Sequence, residues 1–424
     1  MNIFVINTII LLAIDIYIYL AIRGTKISWA KSKLFTILWW AYSILLIIGI
    51  IISIQFDIRL TARAIILVAF FITFTTKFVY MLVLLIDDFR RGLIWSKRYF
   101  YRLTKKPAPA DINEKTALEK KSKITRSDFL AKTGIAVAAV PFAGLSWGIL
   151  GGAYDYRIRK QKLYLPNLPS AFHGMTIAQI SDVHSGSFYN KKAVVGGVEK
   201  IMGQKPDAVF FTGDLVNNLA SELNDYKDVF SKIKAPLGVY SILGNHDYGE
   251  YHFGREPSVA KAKNLELIKT AQREMGWDLL LNENRRLRVD NEEIAVLGVE
   301  NWGKGRFPRY GDIDKALQNT EDIPVKFLLS HDPSHWRGQI LDRPDIDVMF
   351  SGHTHGMQFG VRSEHFQWSP VQYLYQEWAG LYQENHQQLY VNVGFGFLGY
   401  PGRVGMLPEI TIFELVKGSN PIQA

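Results

Sequence analysis

The chain has no cysteine in 424 residues. That excludes a disulfide framework, a thiolate metal site, a cysteine nucleophile and a thiol redox switch. It leaves the compartment open, because an exported protein can do without disulfides. Excess charge is also scarce once it is located. There are 49 Lys and Arg against 40 Asp and Glu, a net +9. Residues 87–132 hold 13 Lys/Arg and 6 Asp/Glu, so +7 sits in that stretch and only +2 remains elsewhere. Such clustering gives no basic face for nucleic acid, and none is expected as a partner. No internal repeat is visible. A 48% hydrophobic composition excludes a disordered or collagen-like chain, and the length allows two to four structural units at about 100–200 residues each.

What abounds near the start is uninterrupted apolar sequence. Residues 2–22, 34–54 and 64–86 each reach the roughly 20 residues needed to cross a hydrocarbon core. A fourth stretch, 133–154, is richer in Ala and Gly and contains Pro141. The expectation is three transmembrane helices within 1–86, a basic cytoplasmic linker over 87–132 and a fourth transmembrane helix over 133–154. The first stretch lacks the basic start and small-residue cleavage site of a signal peptide. Arg126–Leu130 resembles a twin-arginine signal, but Ser127 replaces the second arginine.

Loop charge sets an orientation. Arg23, Lys26, Lys31 and Lys33 lie between the first two spans with no acid, and the +7 segment lies between the third and fourth. Basic loops stay in the cytoplasm, so the N-terminus is expected outside. Four spans then place everything after Tyr154 outside too, in a multi-pass integral membrane protein; without the fourth span the domain sits inside. Asp15 and Lys77 fall within spans at matching depth, which lets them pair. The alternative is that Lys77 snorkels toward the basic interface.

From about residue 162 the pattern changes. Short β-branched or aromatic runs end in Gly, Asp, Asn or His at 175–182, 207–214, 238–247, 293–300, 325–332 and 347–355. Helical segments are expected over 191–204, 222–232 and 259–275. Continuous apolar strands imply burial on both faces, and ligands of open α/β sheets gather at strand carboxyl ends. There stand Asp182 and His184, Asp214, Asn245 with His246 and Asp247, His331, and His353 with His355. Five of the 10 histidines follow expected strands directly. Carboxylates, an amide oxygen and imidazoles suit Mn, Fe, Zn or Mg. Gly213, Gly244, Gly352 and Gly356 are expected where backbone must approach the metals closely or take positive φ. His173 and His335 read as structural or surface residues.

The ordered blocks D-x-H, G-D, G-N-H-D, H and G-H-x-H resemble the calcineurin-like metallophosphoesterase superfamily. Asn392-x-Gly394-x-Gly396, Pro401-Gly402-Arg403 and Pro408-Glu409-Ile410 resemble its membrane-anchored bacterial branch. The resemblance covers about 163–416 and implies an α/β, α+β-type four-layer sandwich of two mixed β-sheets flanked by helices, after the transmembrane region. It implies a binuclear centre of two divalent ions: Asp182, His184 and His355 on one, Asn245, His331 and His353 on the other, Asp214 and a shared hydroxide bridging both. His246 would donate to the transferred phosphoryl group or leaving oxygen, oriented by Asp247 or a nearby acid. Arg403 is a candidate substrate-phosphate ligand; the alternative is a structural arginine. The aromatics of 359–382 are candidates for a bilayer contact or for packing on the second sheet. The implied activity is hydrolysis of a phosphoester or pyrophosphate, with a lipid-linked substrate attractive for an anchored enzyme. Alternatives are a soluble nucleotide or sugar phosphate, or a non-catalytic interaction module that keeps the fold. Metal ligands fix the reaction type, whereas variable loops fix specificity.

Overall fold

The computed structural model describes residues 3–56, 60–104, 126–305, 307–363 and 366–419. They form two compact units, Met1–Ser146 and Trp147–Ala424.

The first unit holds helices α1 (Ile3–Arg23), α2 (Lys33–Gln55), α3 (Leu60–Thr104) and most of α4 (Arg126–Leu150). Among the described residues, three helical segments, Lys33–Ser53, Ile65–Tyr101 and Phe129–Tyr154, are long and apolar enough to cross a membrane. Ser32 caps α2 by accepting from Phe35 N at 3.0 Å. Asp15 and Lys77 form an ion pair, Lys77 also donates to Ser43 Oγ at 3.2 Å, and its ammonium lies 4.8 Å from the Trp39 ring. Pairing, not snorkelling, is what Lys77 does.

Helix α3 runs 18 residues past Ile86, into the segment that reads as a linker. Its 45 residues span about 68 Å at 1.5 Å per residue, roughly twice a hydrocarbon core. A change from apolar to charged sequence therefore marks the end of the apolar run but not of the helix. Asp87 pairs with Arg90 and Arg91, each at 2.8 Å, and such i,i+3 and i,i+4 pairs favour helix in water. Helix α4 likewise begins at Arg126, ahead of its apolar run. The part of the expected linker between them, 105–125, lies outside the described residues.

The second unit is a four-layer sandwich. Its strands are β1 (Arg157–Leu165), β2 (Thr176–Ile180), β3 (Ala208–Phe211), β4 (Val239–Ser241), β5 (Asp278–Leu279), β6 (Glu283–Val289) and β7 (Glu292–Gly298). There follow β8 (Lys326–Leu329), β9 (Val348–Ser351), the short hairpin β10 (Val361–Arg362) and β11 (Gln367–Trp368), then β12 (Gly380–Glu384), β13 (Gln387–Val391) and β14 (Glu409–Lys417). One sheet runs β1-β14-β2-β3-β4-β5, the other β12-β13-β9-β8-β7-β6. Both are mixed: β14 is antiparallel to β2 but parallel to β1, while β6–β7 and β12–β13 are antiparallel pairs at the edges of a parallel centre.

Period-two alternation divides each central strand between two cores. Phe327 and Leu329 of β8, Val348 and Phe350 of β9, and Ala208 and Phe210 of β3 fill the space between the sheets. Leu328 and Met349 face outward onto Ile313, Trp336 and Ile340. Val209 and Phe211 face outward onto residues of helices Lys191–Gly203 and Val259–Glu274, among them Val194, Val198 and Ile268. Aromatic edges lock the middle layer, with Phe210–Phe350 at 5.1 Å and Phe350–Phe413 at 5.0 Å. All six sequence-read strands are present. The segment 222–232 is helical only over Lys227–Phe230, after a 3₁₀ turn.

Candidate metal centre

The loops after β2, β3 and β4 of one sheet and after β8 and β9 of the other converge at a common edge. Asp182, His184 and His355 bring one ligand atom each to within 4.8 Å of one another, and so do Asp214, His331 and His353. Atoms each about 2.1 Å from one ion stand about 3.0–3.4 Å apart, which gives a test of fit. His184 Nε2 lies 3.0 Å from His355 Nε2, which lies 3.2 Å from Asp182 Oδ1. In the second group His331 Nε2 lies 3.2 Å from both His353 Nδ1 and Asp214 Oδ2. That same Asp214 oxygen lies 3.5 Å from His184 Nε2. Asn245 Oδ1 is buried and, among the described residues, accepts no hydrogen bond, which costs free energy unless a cation meets it. The donor set fits two divalent ions.

Strained backbone accompanies this convergence. Asp182, His184, Asp214, His353 and His355 all have positive φ, between 48° and 71°, a region non-glycine residues enter at some cost. The loops also press on one another. A side chain at Gly244 would stand 2.2 Å from Asp214 Oδ1, and one at Gly352 would stand 2.2 Å from Asp182 Oδ2. Gly213 and Gly356 take positive φ, as expected of them.

Burial opposes ionisation of Asp182 and Asp214, but the imidazoles of His355 and His331 hold both carboxyls below the usual carboxylate range. Burial keeps His184 and His353 neutral, with lone pairs available to a metal. His331 pays the same burial cost, yet Asp214 pushes its pKa up to about 10.

His246 is part-buried over the first group, its ring 4.9 Å from that of His184. Its Nδ1 lies 2.8 Å from the carbonyl oxygen of Asn217. A carbonyl only accepts, so Nδ1 carries the proton, and among the described residues Nε2 has no hydrogen-bond partner. Asp247 does not orient this ring. Its carboxylate accepts from the N–H groups of Asp214, Leu215, Val216 and Gly244 at 2.9–3.2 Å, clamping the Asp214 loop to the Asn245 loop. Burial and the nearby Asp214 charge push its pKa up to about 7. The acid behind His246 is instead Glu222, which accepts from the N–H groups of Asn217, Asn218 and Leu219 and so holds the carbonyl that holds the ring.

Arg403 is also corrected. It is fully buried, and its guanidinium donates to the carbonyls of Gly396, Val393 and Met406 and lies 3.2 Å from His355 Nδ1. The fork that would grip a phosphate is spent on backbone, so Arg403 supports His355 from behind. Three aromatic residues near the site escaped the sequence reading of its roles. Tyr251 stacks on His246 at 4.5 Å, Phe307 sets its edge on His353 at 4.7 Å, and Tyr375 OH lies 2.8 Å from His353 Nε2. Only Tyr375 had a sequence signal, as part of the aromatic stretch 359–382. That stretch divides: Trp378 is buried, whereas Phe359, Phe366 and Tyr373 are exposed.

Comparison with known proteins agrees with this geometry. Residues 1–153 match the family model for a probable calcineurin-like phosphoesterase transmembrane domain, and residues 175–357 match that for the calcineurin-like phosphoesterases. The chain is similar to a transmembrane protein with metallophosphoesterase domain from Danio rerio, 29% identical over 68% of this chain and 62% of that protein. It is similar to the uncharacterised metallophosphoesterase YkuE of Bacillus subtilis, 27% identical over 66% of this chain and 96% of that protein. An uncharacterised metallophosphoesterase of Helicobacter pylori is 28% identical over 64% of this chain and 68% of its own length. The match thus spans about three fifths of the Danio rerio relative.

Proposed function

We propose, from the premise that this chain belongs to the calcineurin-like phosphoesterases, that it is a membrane-anchored hydrolase that uses two divalent cations to cleave a phosphoester or pyrophosphate bond. The observation that carries this reading is one oxygen of Asp214, 3.2 Å from His331 Nε2 and 3.5 Å from His184 Nε2. An anion shared in this way suits two cations about 3.5–4 Å apart, which would otherwise repel. Asp182, His184 and His355 would hold one ion, Asn245, His331 and His353 the other, with Asp214 between. Bound there, Mn, Fe, Zn or Mg supplies a nucleophile at neutral pH and withdraws charge from the phosphoryl oxygens.

The chain's own side chains do the rest. The Asn217 carbonyl fixes the His246 tautomer, and Nε2, when protonated, donates to the leaving oxygen and offsets its charge. Asp247 keeps the Asp214 and Asn245 loops in register. Arg403 holds His355 in place. The basic loops favour an extracytoplasmic hydrolase domain. The anchor favours a lipid-linked substrate, with a soluble nucleotide or sugar phosphate as the alternative source of the same bond.

Detergent-purified full-length protein is expected to hydrolyse bis(4-nitrophenyl) phosphate with Mn²⁺. Asp214→Asn is expected to lower that rate by at least about 10³-fold, more than one electrostatic donor is worth. Wild-type turnover in Asp214→Asn, or a folded sample that takes up no divalent metal, would overturn the reading. Phosphate release from a panel of lipid and nucleotide phosphates identifies the substrate. Protease accessibility in intact cells tests the side of the membrane.

A further inference from the structure

A cleft of about 690 Å³ opens beside the metal-ligating residues, lined by Trp302, Lys304, Arg309, Ser334, Arg337 and Tyr375 among others. Its walls are continuous with the centre. Tyr375 OH reaches His353 Nε2 at 2.8 Å. Gly303, next to Trp302, leaves so little room that a side chain there would stand 2.7 Å from Asp332 Oδ2, itself 3.6 Å from His353 Nε2. A substrate bound at the ligand cluster has this cleft as a neighbouring space. The volume lies in the range of small-molecule sites and far exceeds what one phosphate needs.

The charges in the cleft are unevenly spent. Arg337 is neutralised within the fold, by Glu377 at 2.7 Å and Glu384 at 3.0 Å. Lys304 and Arg309 are exposed, and among the described residues neither has a carboxylate partner. Arg309 is nevertheless held. Its guanidinium lies 4.8 Å from the Trp302 ring centroid, and its Nε donates to the Gly303 carbonyl at 3.1 Å. That leaves its terminal nitrogens aimed by the ring and free to donate. The Lys304 backbone N–H is tied to Ser334 Oγ at 3.0 Å, which fixes the base of its side chain. A guanidinium held in place and an exposed ammonium, neither with a carboxylate partner among the described residues, form a receptor for negative charge next to the proposed phosphate-cleaving centre.

We propose that this cleft is a second anion subsite, in which Lys304 and Arg309 bind a phosphate group of the substrate other than the one that is cleaved. The inference rests on the hydrolase reading and narrows its substrate class to compounds with two phosphates separated by a small linker. Such a compound can be a soluble bisphosphate or a lipid whose headgroup carries a further phosphate.

The test is calorimetric titration of the full-length chain in detergent with Mn²⁺, using His246→Ala to suppress turnover. Glycerol 1-phosphate, glycerol 1,3-bisphosphate and phosphatidylglycerol phosphate in the same micelles are the three probes. The second phosphate is expected to tighten binding about tenfold, and Lys304→Gln with Arg309→Gln to abolish that gain. Glycerol 1-phosphate affinity should be unchanged by the double substitution, which shows that the site still folds. Equal affinity for mono- and bisphosphate, or a gain that survives the double substitution, would overturn the subsite. A further gain with the lipid probe assigns the source to a headgroup, and its absence to a soluble compound. Repeating the titration without metal separates the two claims. Loss of Mn²⁺ dependence undermines the metal centre, while a Lys304- and Arg309-dependent gain for the bisphosphate would still support the subsite.

Discussion

Both units of this protein bury ionisable groups, and they treat them in opposite ways. In the helical unit, Asp15 and Lys77 satisfy each other, with Ser43 and the Trp39 ring completing the shell. In the sandwich, two aspartates and four histidines crowd together and, among the described residues, leave acceptors over, Asn245 Oδ1 and Asp332 Oδ2 included. Charge whose partners are all internal stabilises or specifies a fold; charge left short of partners marks a place for something external. Arg403 and Asp247 belong to the first kind although they stand within the second. Their hydrogen-bonding capacity is used up on backbone.

The contrast can be broken or sharpened by substitution. The largest effect, after the loss expected for Asp214→Asn, belongs to His246→Ala. Turnover should fall about 10²–10³-fold with metal content unchanged, because the proposed role puts the side chain at the leaving oxygen and not among the ligands of the ions. Elemental analysis beside the assay checks both halves, and loss of metal would move His246 into the ligand set.

Next comes His335, buried and satisfied by Ser330 Oγ and Gln339, each at 2.9 Å. Burial lowers its pKa from 6.5 to about 4. The unfolded chain therefore takes up this proton first. Stability is full above pH 6.5 and is lost as pH falls toward 4, by about 2 kcal/mol at pH 5. Thermal unfolding at pH 7 and pH 5 should show that loss in the wild type and a flatter response in His335→Gln. An equal response in both would mean that another group carries the acid sensitivity.

The smallest effect concerns the pair in the helical unit. Asp15→Asn and Lys77→Met should each destabilise more than the two together, with a coupling of about 1–2 kcal/mol. Additive losses would show that the pair has no energetic content.

Much of the site was legible because it follows from local rules. Strands β2, β3, β4, β8 and β9 each end in a ligand-bearing turn, and their apolar runs announce both the strand and its limit. The edge strands were not legible. β6 is mostly polar and β12 ends in polar residues, both largely half-exposed, so neither carries the continuous apolar signal of a central strand. β1 and β14 pair in parallel across more than 240 positions of sequence, which no local pattern announces. The length of α3 was hidden because its charged end looks like a loop until the Asp87 pairs are seen. Tyr251, Phe307 and Glu222 carried no signal at all, since their roles exist only relative to histidines elsewhere in the chain.

By itself the sequence determined that this protein has an apolar helical region and an α/β region whose strand ends offer oxygen and imidazole to metals. Those properties are set by residue type and short spacing. Tertiary structure alone decided which able groups remain available. Arg403 and Asp247 are chemically suited to phosphate and proton work, but folding surrounds them with carbonyls and N–H groups from distant loops, and a donor or acceptor can be spent only once.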